Sequence, residues 1–154
     1  MKIIIVGAGA VGTHLSKLLS REHQDCILID ADDERLTKMS EYDVMTYCAS
    51  PTSIKALKEA GVQNADLFVG VTPEESININ ACILAHALGA KKTVARIDNY
   101  EYLAPGLQQF FKNLGLDSLI YPEVLVKYLG LFSQLNAKQN KRSVMNVPSL
   151  AHPR

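Results

Sequence analysis

The chain has 154 residues, of which 47% are hydrophobic and 21% are charged, and its 16 basic residues balance its 16 acidic ones. A chain of this length and composition is expected to fold as one soluble domain with a buried core. Because the formal net charge is zero, composition gives no electrostatic reason to expect nucleic acid or anionic lipid as a partner. The longest uncharged stretch, residues 76–90, is too short to cross a bilayer, so we expect no direct membrane insertion.

Buried strands and helical patterns alternate along the chain. Residues 3–6 form a β-branched run that stops at a glycine, as a strand buried on both faces would, and a helix follows. Five further strands are predicted at CILID, DVMTYC, ADLFVGV, KTVARI and DSLIYP. The intervening helices are predicted at ERLTKMSEY, TSIKALKEAG, SININACILAHAL and EYLAPGLQQFFKNLG. The pattern predicts an α/β fold: a Rossmann-like, doubly wound parallel sheet of six strands with helices on both faces.

Two details of the helices carry expectations of their own. Pro105 and Gly106 are expected to interrupt the fourth of these helices, and Ser76 is predicted to cap the third. A last helix follows the sixth strand, with Pro122 in its first turn. After Leu135 the pattern ends in a polar segment, so residues 1–135 are predicted to form the domain and residues 136–154 a linker or tail.

The last helix is unusually apolar. Its apolar residues are Val124, Leu125, Tyr128, Leu129, Leu131 and Phe132. They give it more apolar surface than one sheet face needs, which favours an interface with a second copy of the chain. The alternative is that the helix packs against its own sheet.

The glycines of the segment GAGAVG have the spacing G-x-G-x-x-G between a buried strand and a helix. In this context Gly7 permits a tight turn, Gly9 lets the backbone approach a pyrophosphate, and Gly12 lets the helix and strand pack closely. The free N–H groups at the helix start favour a phosphate. The alternative interpretation is a glycine-rich turn without a ligand.

Asp30 ends the second predicted strand. A carboxylate at this position can accept hydrogen bonds from both hydroxyls of an adenosine ribose, and its charge would repel a 2′-phosphate. Asp30 therefore favours NAD-type or simple adenine nucleotides over NADP. It could also cap the helix that begins near Asp32 or Asp33, and the two roles are compatible.

The catalytic half of a dehydrogenase is missing from the sequence. None of the four histidines follows a predicted strand, and there is no Tyr-x-x-x-Lys pair, G-x-S-x-G motif or metal-ligand spacing. We therefore expect a binding protein without a catalytic or metal site. An NAD-dependent oxidoreductase domain lacking its catalytic half is the alternative.

The three cysteines, Cys26, Cys48 and Cys82, lie in apolar runs and form no C-x-x-C pair. We expect them to be buried and reduced, which indicates a cytosolic protein. A redox sensor acting through Cys48 is a third interpretation, which the expected burial of its strand disfavours.

Six landmarks in order resemble the RCK (KTN) nucleotide-binding family, most of all its TrkA-type members, the regulatory subunits of bacterial potassium uptake systems. They are KIIIVGAGAVG, LIDADDERL, ASPTSIKALKEAGVQNADLFVGVT, TPEESININACILA, VARI and DSLIYPEVLV. The resemblance runs from Met1 to about Leu135.

This resemblance implies a regulator that binds a nucleotide and passes its state to a membrane potassium channel or transporter. It implies a cytoplasmic protein, peripheral at the inner face of the cell membrane, which forms homodimers that can assemble into larger rings. The implied ligand contacts are Gly7, Gly9, Ala10, Val11 and Gly12 at the phosphates, Asp30 at the ribose with Asp32 beside it, Ala49 and Ser50 along the adenine or its ribose, Val71 and Thr72 over the middle, and Glu75 on the far side. Arg96 is expected to meet a phosphate or an acidic neighbour, with a structural ion pair as the alternative.

Two residues depart from the family pattern. Ala49 stands where the family usually has glycine, so the backbone would approach the adenine less closely. Ala10 stands where members that bind nucleoside triphosphates often carry arginine, and the loss of that cation removes a charge-assisted partner for a γ-phosphate. We therefore expect NAD or NADH, or a nucleotide with fewer phosphates such as ADP or AMP, rather than ATP.

Overall fold

The computed structural model describes residues 1–125, 127 and 138, and within them strands and helices alternate as the sequence predicts. The strands are β1 (Lys2–Val6), β2 (Asp25–Asp30), β3 (Met45–Cys48), β4 (Leu67–Gly70), β5 (Thr93–Arg96) and β6 (Ser118–Ile120). The helices are α1 (Ala10–Arg21), α2 (Asp33–Thr37), α3 (Ile54–Glu59), α4 (Glu75–Leu88) and α5 (Leu107–Asn113). Short 3₁₀ turns occupy Val62–Asn64 and Tyr100–Leu103.

The six strands form one parallel sheet in the order β3-β2-β1-β4-β5-β6. The order reverses between β1 and β4, which makes the edge above these two strands the topological switch point of the sheet. The predicted doubly wound, six-stranded parallel sheet is therefore confirmed.

Helices cover both faces of the sheet. Ile3 and Ile5 of β1 pack with Leu15 of α1 on one face. Ile4 and Val6 point to the other face, in the cluster that contains the buried side of α4. These four of the five β1 residues have no exposed surface, because a central parallel strand is covered on both sides.

Local chemistry explains where several helices begin and end. The Ser53 side chain accepts a hydrogen bond from the Ala56 N–H and caps α3. Gly89, with φ of 117°, ends α4 in the left-handed conformation that glycine adopts without strain. Pro105 and Gly106 separate the 3₁₀ turn from α5, as the sequence predicts.

Two expectations about helices were wrong. Ser76 is not a cap: α4 begins at Glu75 with Glu74 at the cap position, so Ser76 lies inside the helix. The helix predicted at ERLTKMSEY ends at Thr37, because the N–H groups of Met39 and Ser40 bond to carbonyls three residues back rather than four.

The described residues reach only the start of the last predicted helix. Residues 122–125 are helical, with Pro122 in the first turn. Leu125 is buried on the α1 face of the chain's own sheet, and Val124 is half-exposed. The other four apolar residues of that helix lie outside the described residues, and so does the predicted tail apart from Lys138, which is helical and exposed. Among the residues that are described, no helix is long and apolar enough to cross a membrane.

Candidate functional site

The predicted site residues lie at the carboxyl edge of the sheet, in the ends of β2 and β5, in the loops that follow β1 to β4, and in the first turns of α1 and α4. The switch point between β1 and β4 is at the centre of this edge. The glycine loop after β1 touches the ends of both neighbouring strands: the Gly7 N–H donates to the Ile29 carbonyl at 2.9 Å, and Gly7 packs against the backbone of Thr72.

Two of the three glycines are required by the packing of the chain on itself. Gly7 has φ of 109°, and a Cβ there would lie 2.8 Å from the Thr72 nitrogen. A Cβ on Gly12 would lie 1.7 Å from the Gly7 carbonyl oxygen, so α1 could not approach the loop. These contacts match the turn and packing roles expected of the first and third glycines.

Gly9 has a different environment. A Cβ at Gly9 would have no atom within 4 Å, and its backbone is extended. Gly9 is the cap residue of α1 and offers no side chain to the helix N–H groups, and the first turn of α1 has no acidic residue. The start of α1 therefore has open space beside Gly9, and no side chain caps its backbone donors.

Asp30 joins the glycine loop to the end of β2. It is buried, with 8% of its surface exposed. One carboxylate oxygen accepts the Ala8 N–H at 2.7 Å, and the other accepts the Asp32 N–H at 2.7 Å. Asp30 does not cap α2, because that role belongs to Asp32, whose carboxylate accepts the Glu34 N–H at 3.0 Å.

Arg35 completes this acidic corner, and sequence reasoning missed it. Its Nε lies 3.5 Å from the Asp32 carboxylate and its Nη1 lies 3.9 Å from the Asp30 carboxylate. The side chain is half-exposed and borders an open cleft of about 590 Å³ lined by residues 30–35. The spacing D-x-D-x-x-R in the sequence could have predicted this contact, since the first turn of a helix after β2 brings the arginine back over the two aspartates.

The loop after β3 lies beside the end of β2. Cys48 pairs with Asp30 in the sheet, and the Ala49 N–H donates to the Asp30 carbonyl at 3.0 Å. Ala49 is half-buried, while Ser50 is exposed and bonds to Thr52. Ala49 and Ser50 are thus brought to the same corner as Asp30.

The expectation that all three thiols are buried was wrong for Cys48. Cys26 and Cys82 are buried, but Cys48 is exposed, and its Sγ lies 3.6 Å from the Ala31 carbonyl. The reason is that β3 is an edge strand, three of whose four residues are exposed. Burial of this strand therefore gives no argument against a redox role for Cys48.

A buried asparagine fixes the middle of the site. The Asn78 Oδ1 accepts the Thr72 N–H and the Thr72 hydroxyl, both at 2.8 Å. Its Nδ2 donates to the carbonyls of Thr72 and Arg96, at 2.9 and 3.0 Å. Asn78 has no exposed surface, so one side chain of α4 holds the ends of β4 and β5 together. Val71, beside Thr72, is buried in the α1 face of the core.

Glu75 and Arg96 meet the loop after β5. One Glu75 carboxylate oxygen accepts the N–H groups of Asp98 and Asn99, at 2.8 and 3.0 Å, so Glu75 ties α4 to this loop. Arg96 lies 3.6 Å from the Asp98 carboxylate through Nη2, and its side chain is 20% exposed. Its Nε is buried without a hydrogen-bond partner. The ion pair thus satisfies only part of the guanidinium.

Within the part of the chain that is described, no group of three or more His, Cys, Asp or Glu side chains is arranged to hold a metal ion. Of the histidines in that part, His14 lies in α1, His23 in the turn after it, and His86 near the end of α4. None of these three follows a strand at the carboxyl edge.

The doubly wound sheet, with a glycine loop between β1 and α1, defines a Rossmann-like α/β domain. The chain belongs to the TrkA-N domain family, whose model matches residues 3–122. The expected resemblance to TrkA-type RCK domains is therefore confirmed.

Relatives with this domain are named as potassium uptake proteins. The Trk system potassium uptake protein TrkA of Haemophilus influenzae is 43% identical over 129 residues, which are 82% of this chain and 28% of that protein. A TrkA homologue of Archaeoglobus fulgidus is 37% identical over 124 residues, 80% of this chain and 28% of that protein. The chain thus spans little more than a quarter of either relative.

Solved structures have the same fold. The TrkA-N domain of the inner membrane protein ybaL from Escherichia coli superposes with a TM-score of 0.68 at 16% identity, covering 84% of this chain and 93% of that one. The GsuK channel bound to NAD gives a TM-score of 0.64 at 15% identity, covering 77% of this chain and 21% of that one. GsuK bound to ADP gives 0.64 at 16% identity, with 78% and 31% covered.

Proposed function

We propose that this domain is the nucleotide-binding regulatory part of a potassium transport system and passes its state to a membrane channel or transporter. The names of its TrkA-N relatives support the transport system, and the NAD and ADP complexes of GsuK support an adenine nucleotide as ligand. In this role the domain binds its ligand without turning it over. It acts at the cytoplasmic face of the membrane through its partner.

The open space beside Gly9 at the uncapped start of α1 is the observation that carries the proposal. A phosphate can approach this backbone directly because a Cβ at Gly9 would meet nothing within 4 Å. With 12 residues and no acidic group in its first turn, α1 presents an uncompensated positive dipole end there. A pyrophosphate fits against Gly9, Ala10, Val11 and Gly12.

Asp30 suits the ribose. Each of its carboxylate oxygens accepts one backbone N–H and retains acceptor capacity for a ribose hydroxyl. Asp32 lies beside it, and Ala49 and Ser50 border the side on which the adenine would sit. The nucleotide supplies hydroxyl donors and phosphate charge, and the protein supplies complementary acceptors and donors.

Val71, Thr72 and Arg96 extend the site across the switch point. The buried, unpartnered Nε–H of Arg96 suits an acceptor on the ligand, and a phosphate oxygen has the appropriate charge. Glu75 lies on the far side, where its carboxylate also holds the loop after β5. Because Ala10 carries no cation for a γ-phosphate, we propose NAD or NADH as the ligand, with ADP or AMP as the alternatives and ATP less favoured.

Signalling requires that the ligand bind two arrangements of the protein unequally, and coupling of about 1–3 kcal/mol is typical of such systems. We propose that these arrangements are two geometries of a homodimer, which can assemble into larger rings, formed through the last predicted helix. A ligand that bound both geometries equally would leave the membrane partner unaffected.

The test is calorimetric titration of the protein with NADH, NAD, ATP, ADP and AMP, using Asp30→Asn and Asp25→Asn as a matched pair. Both variants remove one carboxylate charge from β2, but Asp25 is exposed at the opposite end of the strand, whereas Asp30 faces the glycine loop. Loss of a charged hydrogen-bond acceptor costs about 1.5–3 kcal/mol, so Asp30→Asn is expected to weaken binding roughly tenfold or more.

Asp25→Asn should bind within about twofold of the unaltered chain, since an exposed charge at the far end of the strand contributes little. Absence of binding by the unaltered chain for every nucleotide would sink the proposal. Equal losses in the two variants would move the ribose away from Asp30. A preference for ATP would contradict the inference from Ala10.

A further inference from the structure

Arg35 stands at the place where the base of a bound nucleotide must lie, if the nucleotide is held as proposed above. In adenosine the base is attached to the ribose carbon next to the 2′-hydroxyl. A ribose bonded to Asp30 therefore places its base a few ångströms beyond this carboxylate. The open cleft of about 590 Å³ is lined by residues 30–35, so both this carboxylate and Arg35 border it, with the Arg35 Nη1 3.9 Å from the carboxylate.

The lining of this cleft offers few surfaces for a flat ring. It consists of Ala31, four acidic residues and Arg35, and contains no aromatic side chain. Carboxylates are strongly hydrated and repel the π-face of a base, whereas a guanidinium is planar, weakly hydrated and stacks on aromatic faces. Arg35 is the side chain of this lining with the chemistry to cover a purine.

The contacts of Arg35 hold it near this position without locking it. Its distances to the Asp32 and Asp30 carboxylates, 3.5 and 3.9 Å, are too long for strong hydrogen bonds. The side chain is half-exposed, so the guanidinium can turn while its charge stays beside the two acids. It is tethered by electrostatics and free to adjust to a ring.

We propose that Arg35 is the base-binding residue of the site: its guanidinium stacks on the purine and selects adenine nucleotides over those with smaller bases. This inference rests on the proposed nucleotide site. It assigns to Arg35 a contact with the ligand itself, distinct from support of the Asp30 and Asp32 carboxylates.

The ratio of ADP to UDP affinity separates these two roles. Both ligands carry the same ribose and diphosphate, so a change in the aspartates weakens both equally, whereas loss of a stacking plane weakens ADP more. Arg35→Lys keeps the charge beside Asp30 and Asp32 but removes the plane. Arg35→Gln removes the charge, and Lys38→Gln removes a charge from the exposed residue directly after the same helix as a control.

Calorimetry should give Arg35→Lys an ADP affinity about three- to tenfold lower, the range of an exposed stacking contact, with UDP within about twofold. Arg35→Gln should lower the ADP to UDP ratio at least as much, and Lys38→Gln should leave the ratio unchanged. An equal loss for both ligands in Arg35→Lys, or full ADP affinity in that variant, would overturn the base contact. Failure of the unaltered chain to bind either nucleotide would instead overturn the nucleotide site itself, and this inference with it.

Discussion

Two of the three thiols are kept neutral by their surroundings. Burial raises the pKa of the Cys82 thiol to about 12 and that of Cys26 to about 11. For Cys82 the nearby Asp117 adds to this effect, and hydrogen bonds with the backbone oppose it. Cys48 lies on the edge strand β3 and is exposed. At neutral pH the two core thiols therefore behave as small apolar groups, and Cys48 is the accessible one.

Replacing Cys82 should change how stability depends on pH. In the unfolded chain the thiol titrates near its ordinary pKa of 9.0, and in the fold near 12. Between these values the unfolded chain binds fewer protons, so this contribution to stability is complete below pH 9 and is lost as pH rises, by up to about 1.4 kcal/mol per pH unit. Urea unfolding at pH 7, 9 and 10.5 should show a shallower decline for Cys82→Ala than for the unaltered chain.

Cys48→Ala is the control for this measurement, because it makes the same substitution at an exposed position. The comparison concerns slopes only, since Cys82→Ala also loses packing and starts from a lower stability. Identical slopes for Cys82→Ala and the unaltered chain would mean that this thiol titrates normally in the fold.

At the scale of elements, the unit of β1, its glycine loop and α1 combines two separate requirements. Gly7 and Gly12 let the loop and α1 pack onto the end of β4 and onto each other, as their close contacts show. Gly9 has no such contact and faces open space. One sequence motif therefore contains glycines needed for folding and a glycine available for binding.

Alanine substitutions at Gly12 and Gly9 should separate these requirements. The Cβ of Gly12→Ala would lie 1.7 Å from the Gly7 carbonyl oxygen, so α1 must move away from β1. We expect a loss of about 1–3 kcal/mol or more in the free energy of unfolding, measured in urea. Gly9→Ala should fold with stability within about 0.5 kcal/mol of the unaltered chain, because its Cβ meets nothing and its backbone is extended.

Binding supplies the second half of this comparison. Gly9→Ala should weaken nucleotide binding in calorimetry, because its methyl group occupies the space proposed for the phosphates. Unchanged affinity in this variant would place the ligand elsewhere. Unchanged stability of Gly12→Ala would show that α1 tolerates a shift from β1.

α4 is the element that connects the two halves of the site. Asn78 bonds to the backbone at the ends of β4 and β5, and Glu75 bonds to the loop that follows β5. A ligand that contacts Thr72 therefore meets a residue whose position depends on α4. The Asn78 and Glu75 side chains hold the backbone around the site in position.

At the scale of the whole molecule, the question is whether the last predicted helix packs on the chain's own sheet or forms an interface with a second copy of the chain. Leu125 supports packing, since it is buried on the chain's own sheet, whereas Val124 is half-exposed. Leu129 and Phe132, on which the proposed dimer depends, lie outside the described residues. The proposal for them rests on the apolar pattern of the sequence.

The variant with both Leu129→Glu and Phe132→Glu should be a folded monomer, because two carboxylates in an apolar interface would be desolvated without partners. Light scattering gives the mass, and circular dichroism checks that the chain is folded. Lys127→Glu, a charge change at an exposed position of the same segment, should leave a dimer intact. A double variant that remains dimeric would exclude this helix as the interface.

Much of the fold could be predicted from the sequence because it depends on the chemistry of neighbouring residues. β-branched runs buried on both faces, turn residues between them and helical spacing predicted the six parallel strands, and the glycine spacing located the loop at the switch point. Asp30 was identifiable because it is the acidic residue that ends the second predicted strand. Each of these features is encoded within a few neighbouring residues, so no knowledge of distant contacts was needed.

Features that depend on contacts between distant segments were determined only by the tertiary structure. Cys48 is exposed because β3 is an edge strand of the sheet. Ser76 lies inside α4 instead of capping it, because the helix begins at Glu75. Arg35 lies beside the Asp30 and Asp32 carboxylates because α2 packs back over the end of β2. The local sequence of each segment is compatible with an edge or a central strand, and with a helix near to or far from the end of a strand. Which of these occurs is set by packing across the whole sheet.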